Sequence, residues 1–143
     1  MTAGPAEVRH VLVADDEAHI GRIIKIKLEQ GPFRVSLAFD GTDAMEILET
    51  TGDVDVLILD VMMPRMSGLE VLEKIRTDPR WESLPCVILT AAGEAHYEQE
   101  ARALGATAFL TKPFSPKKLY ALIARVTGVS TDEPADEQSV STE

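Results

Sequence analysis

The regular alternation of short apolar runs with longer amphipathic stretches is the feature that most limits how this chain can fold. Between residues 9 and 127, runs rich in β-branched side chains alternate with stretches in which apolar residues recur every three or four positions. The five runs are Val11–Ala14, Val35–Ala38, Val56–Leu59, Cys86–Leu89 and Ala108–Leu110. Runs that are apolar at both odd and even positions indicate strands that are covered on both faces.

The stretches after the runs have the spacing of helices. Each carries an apolar stripe at i, i+3 or i+4, and i+7, with charged residues opposite the stripe. The stripes are Ile20, Ile23, Ile24 and Leu28; Ala44, Ile47 and Leu48; Gly68, Val71, Leu72 and Ile75; Tyr97, Ala101 and Leu104; and Leu119, Leu122, Ile123 and Val126. We therefore predict five helices, one after each strand.

Glycine and proline mark the ends of these helices. Gly31, Gly52, Gly105 and Gly128 stand just past the predicted first, second, fourth and fifth helices. A left-handed residue is favoured at that position, and glycine adopts it without steric cost. Pro116 stands where the fifth helix begins, and its missing N–H costs nothing there.

The predicted fold class is α/β. Five strand–helix pairs give a doubly wound (βα)5 arrangement, with a five-stranded parallel sheet and helices on both of its faces. Ligands of such sheets bind beyond the carboxyl ends of the strands. Those ends are therefore the place to look for chemistry.

Charge separates the end of the chain from the rest. The protein has 143 residues, with 14 Lys and Arg against 24 Asp and Glu, so its net charge is −10. We expect residues 1–7 to be a short extension, residues 8–128 the folded domain, and residues 129–143 an acidic, disordered tail. The negative charge argues against a nucleic-acid binder and against binding to an anionic membrane surface. Cys86 alone allows no internal disulfide, which favours the reducing cytoplasm.

Polar residues follow four of the predicted strands. The first run is followed by Asp15, Asp16 and Glu17, and the third by Asp60. Thr90 follows the fourth run, and Lys112 follows the fifth. Because the carboxyl ends of parallel strands meet at one edge of the sheet, we expect the aspartates, the hydroxyl and the ammonium group to share a site.

Such a site is suited to phosphoryl transfer. Asp15, Asp16 and Asp60 cannot all ionise close together without compensation. Mg²⁺ supplies it, because this ion prefers a few carboxylates together with waters and a phosphate oxygen. Lys112 adds a second positive charge against the charge that develops on a phosphoryl group. Asp60 is the nucleophile we favour, since aspartyl phosphates are a known covalent solution.

Five separated motifs together resemble the receiver domain of two-component response regulators. They are Asp15-Asp16, Asp60 within the segment 59–68, Thr90-Ala91, Phe109, and Lys112-Pro113-Phe114. The resemblance covers Val8 to Gly128, and it rests on the order, type and spacing of the motifs. It implies a flavodoxin-like sheet with strand order 2-1-3-4-5.

The resemblance implies a metal site and a phosphoryl acceptor. Asp60 matches the phospho-acceptor, and Asp16 matches the residue that contacts Mg²⁺ directly. Asp15 would act largely through a metal-bound water. The backbone carbonyl of Met62 would be a further ligand, so the side chain of Met62 does not matter for that role. Mn²⁺ can substitute for Mg²⁺ in such a site.

The resemblance also implies the residues that sense the phosphoryl group. Lys112 would bind one of its oxygens, and Thr90 would move to hydrogen-bond it. Phe109 matches the aromatic residue that rotates inward when the threonine moves. The peptide bond before Pro113 is typically cis in the family, which would aim the lysine. Ala91 is small, as access to the acceptor requires.

The function implied is that of a stand-alone, cytoplasmic signalling switch rather than an enzyme with a separate substrate. A sensor histidine kinase or a histidine phosphotransfer protein would phosphorylate Asp60. We expect the output to be a contact with another protein on the face built from the fourth helix, fifth strand and fifth helix. The oligomeric state expected is a monomer or a weak dimer that phosphorylation promotes. We expect no binding of nucleic acid and no membrane insertion.

Simpler interpretations remain for single residues. Asp15 and Asp16 could cap the first helix, because aspartate is a favoured N-cap residue. Thr90 could be an ordinary turn residue, and Phe109 could belong to the core. For Met63 we favour a place in the core.

Other functions also remain possible. One is a Mg²⁺-dependent phosphohydrolase that uses a strand-end aspartate; such enzymes commonly need a carboxylate two residues later, where this chain has Met62. A flavin-binding module is disfavoured because Asp15, Asp16 and Glu17 would repel its phosphate. A receiver-like module that binds partners without phosphorylation is disfavoured, because every element of the expected site is present. Because neither Met62 nor Ala92 could orient a hydrolytic water, we expect a long-lived aspartyl phosphate.

Overall fold

The structure, a computed structural model, describes residues 7–129. Strands and helices alternate along all of this part of the chain. In order they are β1 (Arg9–Ala14), α1 (Ala18–Leu28), β2 (Phe33–Ala38), α2 (Gly41–Thr51), β3 (Val56–Asp60), α3 (Gly68–Arg76), β4 (Cys86–Ala91), α4 (Ala95–Ala103), β5 (Ala108–Lys112) and α5 (Pro116–Thr127).

The five strands form one sheet in the order β2-β1-β3-β4-β5. Every neighbouring pair is parallel. The predicted α/β class, the doubly wound topology and the strand order are therefore confirmed. In this order the chain reverses its direction of winding between β1 and β3, so a crevice opens beyond the ends of these two strands.

The core lies on both faces of the sheet, as the apolar runs predict. Alternate residues of β1 show why, because side chains in a strand point to opposite faces. Val11 and Val13 pack with residues of α1 and α5, whereas Leu12 and Ala14 pack with residues of α2 and α3. All four are fully buried.

Three strands extend past the carboxyl ends of their apolar runs. The pairing of β3 with β4 continues to Asp60, opposite Leu89, and that of β4 with β5 continues to Ala91, opposite Lys112. Asp60, Thr90 and Lys112 are thus the last or next-to-last residues of strands rather than loop residues. Their backbone positions are consequently held by the sheet.

Most of the predicted helix ends are confirmed. Gly52, Gly105 and Gly128 have φ values of 69°, 98° and 79°, in the left-handed region that favours glycine. Pro116 is the first residue of α5, and the hydroxyl of Ser115 accepts a hydrogen bond from the backbone N–H of Lys118.

The prediction that Gly31 ends α1 in a left-handed conformation is wrong. The cap residue of α1 is Glu29, with φ −75°, and Gly31 is not among the glycines with positive φ. The reason for a glycine here is instead close packing. A Cβ atom at residue 31 would overlap the hydroxyl and ring of Tyr120, which lies buried in α5.

The stripe predicted for α1 also needs one correction. Gly21, Ile24 and Leu28 are the buried residues of this helix. Ile23 is 42% exposed, and Ile26 beside it on the helix surface is 66% exposed. The buried face is narrower than the sequence suggested because a glycine, which the apolar pattern does not count, lets α1 approach Leu37 of β2.

The ends of the chain fall mostly outside this description. The predicted extension, residues 1–7, and the predicted acidic tail, residues 129–143, lie outside the described residues except for Glu7 and Val129. Within residues 7–129, none of the helices combines the length and the apolar character that crossing a membrane requires.

The contact of Gly31 with Tyr120 gives a stability prediction. Gly31→Ala should lower the free energy of unfolding by about 1–3 kcal/mol, because a methyl group is forced into a filled space. Urea unfolding followed by circular dichroism measures this change. In a Tyr120→Phe background, which removes the closest atom, the same substitution should cost less. An equal cost in both backgrounds would contradict the proposed overlap.

Candidate functional site

Strand register brings the predicted site residues to one edge of the sheet. Ala14 of β1 pairs with Leu59 of β3, so the next residues, Asp15 and Asp60, lie side by side. On the other side of β4, Lys112 of β5 stands opposite Ala91. Side chains from three separate strand ends therefore meet, as the sequence predicts.

The ammonium group of Lys112 lies at the centre of the site. Its Nζ is 3.0 Å from Oδ2 of Asp15, 2.9 Å from Oε1 of Glu17 and 3.2 Å from Oδ2 of Asp60. The Lys112 side chain is only 16% exposed, and that of Asp15 is fully buried. The pairs with Asp15 and Asp60 are therefore largely shielded from solvent, and such pairs are stronger than pairs on an open surface; Glu17 is half-exposed.

Three carboxylates form a cluster that fits a metal ion. Asp15, Asp16 and Asp60 each offer an oxygen, and these oxygens all lie within 4.8 Å of one another. An all-oxygen set with two or more carboxylates is the kind of donor set that Mg²⁺ prefers. Asp16 is exposed, whereas the other two are buried, so the cluster opens towards solvent on one side.

An open cleft of about 450 Å³ lies over this cluster. Its walls come from the loops after β1, β3 and β4 and from the end of β5. The lining residues are Asp16, Glu17, Asp60, Met62, Ala91, Glu94 and Lys112. The side chain of Met62 is exposed there. A group the size of a phosphoryl group can therefore reach Asp60 from solvent.

Burial and crowding perturb the acid–base behaviour of Asp60. Burial of the side chain, followed by the nearby charge of Asp15, raises the pKa of the Asp60 carboxyl to about 7, although Lys112 opposes the shift. Asp60 thus lies close to a like charge, and a bound cation would favour the ionised form of Asp60.

Neighbouring acids keep Lys112 charged. Burial alone lowers the pKa of its ammonium group, but hydrogen bonds to Glu17 and Asp15 and the charge of Asp60 raise that pKa above its ordinary value. Correspondingly, the hydrogen bond from Lys112 lowers the pKa of the Glu17 carboxyl. The lysine is therefore a fixed positive charge at this site, not a general base.

The loop that follows Asp60 is anchored at several points. The backbone N–H of Gly68 donates to the carbonyl of Val61 at 3.0 Å, and a Cβ at Gly68 would overlap the carbonyl of Asp60. Glycine is thus needed here for close packing. Ser67 and Glu70 form a capping box that begins α3.

A second anchor ties this loop to α2. Arg65, which has a left-handed φ of 66°, forms an ion pair with the buried carboxylate of Asp40. Asp40 also caps α2, accepting a hydrogen bond from the backbone N–H of Asp43 at 2.7 Å. Arg65 and Asp40 therefore hold the loop that carries Met62 against the neighbouring helix.

Thr90 and Phe109 lie on the neighbouring strands β4 and β5. Thr90 is buried at the end of β4. Phe109, on β5, is half-buried against the core, and the guanidinium of Arg102 in α4 lies 4.6 Å from its ring centroid. The Lys112–Pro113 peptide bond is cis.

The simpler interpretation of Asp15 and Asp16 as helix caps has no support. The N-cap residue of α1 is Glu17, which makes no side-chain capping hydrogen bond. Asp15 instead accepts a hydrogen bond from the backbone N–H of Glu17 at 2.9 Å and pairs with Lys112. Phe109 is partly a core residue, as the alternative for it suggested.

Two glutamates at the site were missed as site residues. Glu17 contacts Lys112, and Glu94 accepts a hydrogen bond from the backbone N–H of Ala91 at 2.9 Å. The position of Glu17 directly after the paired aspartates could have indicated its role. No sequence signal marks Glu94, because its hydrogen bond with the Ala91 backbone N–H depends on the turn between β4 and α4.

Comparison with known proteins identifies relatives of this chain. The family model of the response regulator receiver domain matches residues 11–124. A chemotaxis protein CheY homolog of Campylobacter jejuni is 35% identical over 128 residues, covering 89% of this chain and 98% of the relative. Response regulator Rre1 of Synechocystis is 38% identical over 119 residues, covering 82% of this chain.

The structural comparison agrees. The chemotaxis response regulator CheY4 of Vibrio cholerae has a TM-score of 0.77 and 33% sequence identity, covering 83% of this chain and 98% of that protein. The chain spans about half of some relatives, 51% of Rre1 for example. The likeness therefore covers whole single-domain relatives in some cases and one part of a longer relative in others.

The raised pKa of Asp60 predicts how stability depends on pH. In the unfolded chain this carboxyl loses its proton near pH 3.8, and in the folded protein without metal near pH 7. Between these values the folded state holds the extra proton, so its stability falls as the pH rises. Asp60→Asn should therefore raise the melting temperature in EDTA by several degrees at about pH 8, and much less at about pH 4.

Thermal unfolding followed by circular dichroism measures this difference. Excess Mg²⁺ should reduce the difference in melting temperature between the variant and the wild type, because a bound cation offsets the repulsion between the carboxylates of the wild type. A variant that melts below the wild type in EDTA at the higher pH would contradict the account of Asp60.

Proposed function

Because this chain belongs to the response regulator receiver domain family, we propose that it is a switch controlled by phosphorylation of Asp60. The observation that carries the proposal is the contact of Lys112 with Asp60 at 3.2 Å beneath an open cleft. A buried carboxylate paired with a fixed ammonium group, and reachable from solvent, is what a phosphoryl acceptor requires.

The residues at the site fit a divalent cation. Asp15, Asp16 and Asp60 would hold Mg²⁺, with the backbone carbonyl of Met62 as a further ligand and Mn²⁺ as a substitute. When bound, the cation supplies positive charge against the phosphoryl oxygens and the crowded carboxylates. The closeness of the three carboxylate oxygens supports this assignment.

The proposed reaction moves one phosphoryl group. An oxygen of the Asp60 carboxylate bonds to phosphorus while the bond from phosphorus to a donor imidazole nitrogen breaks. That nitrogen keeps the bonding electron pair, and because the other ring nitrogen of the donor histidine carries a proton, the ring leaves as neutral imidazole. Lys112 stays protonated and pairs with a phosphoryl oxygen, so it stabilises charge without exchanging a proton.

We propose that Thr90 and Phe109 carry the signal away from the site. The hydroxyl of Thr90 would hydrogen-bond the phosphoryl group, and Phe109 would then turn further into the core. Because Arg102 stacks on Phe109, this rotation changes a contact with α4. The response is a shift between two populated conformations of one fold.

The proposed partners follow from this mechanism. A sensor histidine kinase or a histidine phosphotransfer protein would supply the phosphoryl group in the cytoplasm. A downstream protein would recognise the surface formed by α4, β5 and α5, on which a weak dimer could also form. We propose no direct contact with nucleic acid.

A phosphohydrolase that uses Asp60 is the principal alternative. It would need an acid or base to release the phosphate. The side chain two residues after Asp60 is that of Met62, which is exposed and apolar. This residue supports a switch over an enzyme that turns over a separate substrate.

Phosphorylation by a small donor tests the proposal. We expect the protein, incubated with Mg²⁺ and phosphoramidate or acetyl phosphate, to gain the mass of one phosphoryl group. Intact-protein mass spectrometry measures this gain over time. Neither Asp60→Asn nor wild type in EDTA should show it, and Lys112→Ala should show little. Equal labelling of wild type and Asp60→Asn would overturn the assignment of Asp60.

The lifetime of the phosphoryl group gives a second prediction. Met62 and Ala92 offer no group that could orient a water for attack on phosphorus. The phosphorylated protein should therefore lose phosphate slowly in Mg²⁺. Met62→Asn adds an amide at the mouth of the cleft that can orient a water, so it should speed this loss by about tenfold, less than a positioned general base contributes.

Met62→Leu is the matched control, because it keeps the site apolar. The rate is measured from the decline of the phosphorylated mass after the donor is removed. Rapid loss from the wild type, or equal rates in the two variants, would show that another group orients the water.

A further inference from the structure

Two glutamates line the cleft on either side of Asp60, and each occupies a donor that a phosphoryl oxygen could use. Glu17, at the start of α1, accepts a hydrogen bond from Lys112. Glu94, at the start of α4, accepts one from the backbone N–H of Ala91. Both side chains and both donors line the same cleft as Asp60.

Glu17 is not needed to satisfy Lys112. The ammonium group already lies 3.0 Å from Asp15 and 3.2 Å from Asp60. The Glu17 side chain is 52% exposed, so it can leave the lysine for solvent at small cost. A phosphoryl oxygen on Lys112 would take the place of this carboxylate.

Glu94 occupies the Ala91 amide in the same manner. The backbone N–H of Glu94 also donates to the carbonyl of Ala91 at 3.1 Å, and this hydrogen bond closes a turn at the end of β4. The carboxylate makes no hydrogen bond that caps α4. An amide that binds a carboxylate oxygen can equally bind a phosphoryl oxygen, so this one is blocked by an anion of the protein itself.

We infer that Glu17 and Glu94 act as an anionic gate that selects the phosphoryl donor by its charge. The cleft is lined by the carboxylates of Asp16, Asp60, Glu17 and Glu94 and by the ammonium of Lys112. A free donor that carries more negative charge is repelled more strongly. A phosphoryl group on the histidine of a docked protein enters with binding energy from the protein contact. The gate therefore favours protein donors over small acyl phosphates.

This inference rests on the proposed phosphorylation of Asp60. Two small donors separate the effect of charge from that of access. Acetyl phosphate is a dianion at neutral pH, whereas phosphoramidate is a monoanion of similar size. Loosening of the cleft would speed both reactions alike, but removal of a gate charge must speed the dianion more.

The experiment compares Glu17→Gln, Glu94→Gln and the double variant with the wild type. Glutamine keeps an oxygen acceptor and the side-chain size but removes the charge. The ratio of the rate with acetyl phosphate to that with phosphoramidate should rise about threefold for each substitution and about tenfold for both. Intact-protein mass spectrometry gives the rates, and the rise should shrink in high salt.

Glu100→Gln is the matched control, because it removes the same charge from the exposed surface of α4. A ratio that rises no more than in this control, or equal acceleration with both donors, would overturn the gate. Failure of the wild type to accept phosphoryl from either donor would instead overturn the proposed function, and the gate with it.

The amide of Ala91 gives a readout that needs no reaction. In nuclear magnetic resonance spectra of the metal-free protein, Glu94→Gln should shift the Ala91 amide signal upfield, because a neutral acceptor forms a weaker hydrogen bond. An unchanged signal would show that Glu94 does not occupy this donor in solution, and that half of the gate would be lost.

Discussion

The contact of the Lys112 ammonium group with three carboxylates is the interaction on which the site depends. Asp15 and Asp60 are buried like charges, which the fold would hold together only at a cost. Lys112 lies within about 3 Å of both and offsets part of that cost. Burial and the nearby charge of Asp15 still raise the pKa of Asp60, so the site can accommodate further positive charge. The same imbalance that weakens the metal-free protein would favour a bound cation, which in the proposed mechanism keeps Asp60 ionised.

The parallel sheet explains why these groups can meet at all. A sheet covered by helices on both faces leaves its strand ends as the place where charged side chains can converge. Register then decides which residues become neighbours: Ala14 opposite Leu59, and Ala91 opposite Lys112. The loop after Asp60 is held by Gly68 and by the Arg65–Asp40 pair. The apolar core thereby positions a polar site.

Much of this could be predicted from the sequence. Apolar runs and helical stripes determine the fold class because burial of apolar surface dominates folding, and the strand ends then locate Asp60 and Lys112. The predictions that failed depend on distances between distant segments. The position of Gly31 after α1 predicts a helix end, but the residue is a glycine because a side chain there would overlap Tyr120. The role of Glu94 could not be predicted from the sequence, because it accepts a hydrogen bond from Ala91 only once the β4–α4 turn has formed.

The most direct test of the central claim is to find which side chain carries the phosphoryl group. Borohydride reduces an acyl phosphate of aspartate to homoserine, which marks the acceptor permanently. After phosphorylation in Mg²⁺ and reduction, peptide mass spectrometry should find homoserine at residue 60 and aspartate at residues 15 and 16. The mark at one of these two, or at Glu17 as the reduced glutamate, would contradict the account.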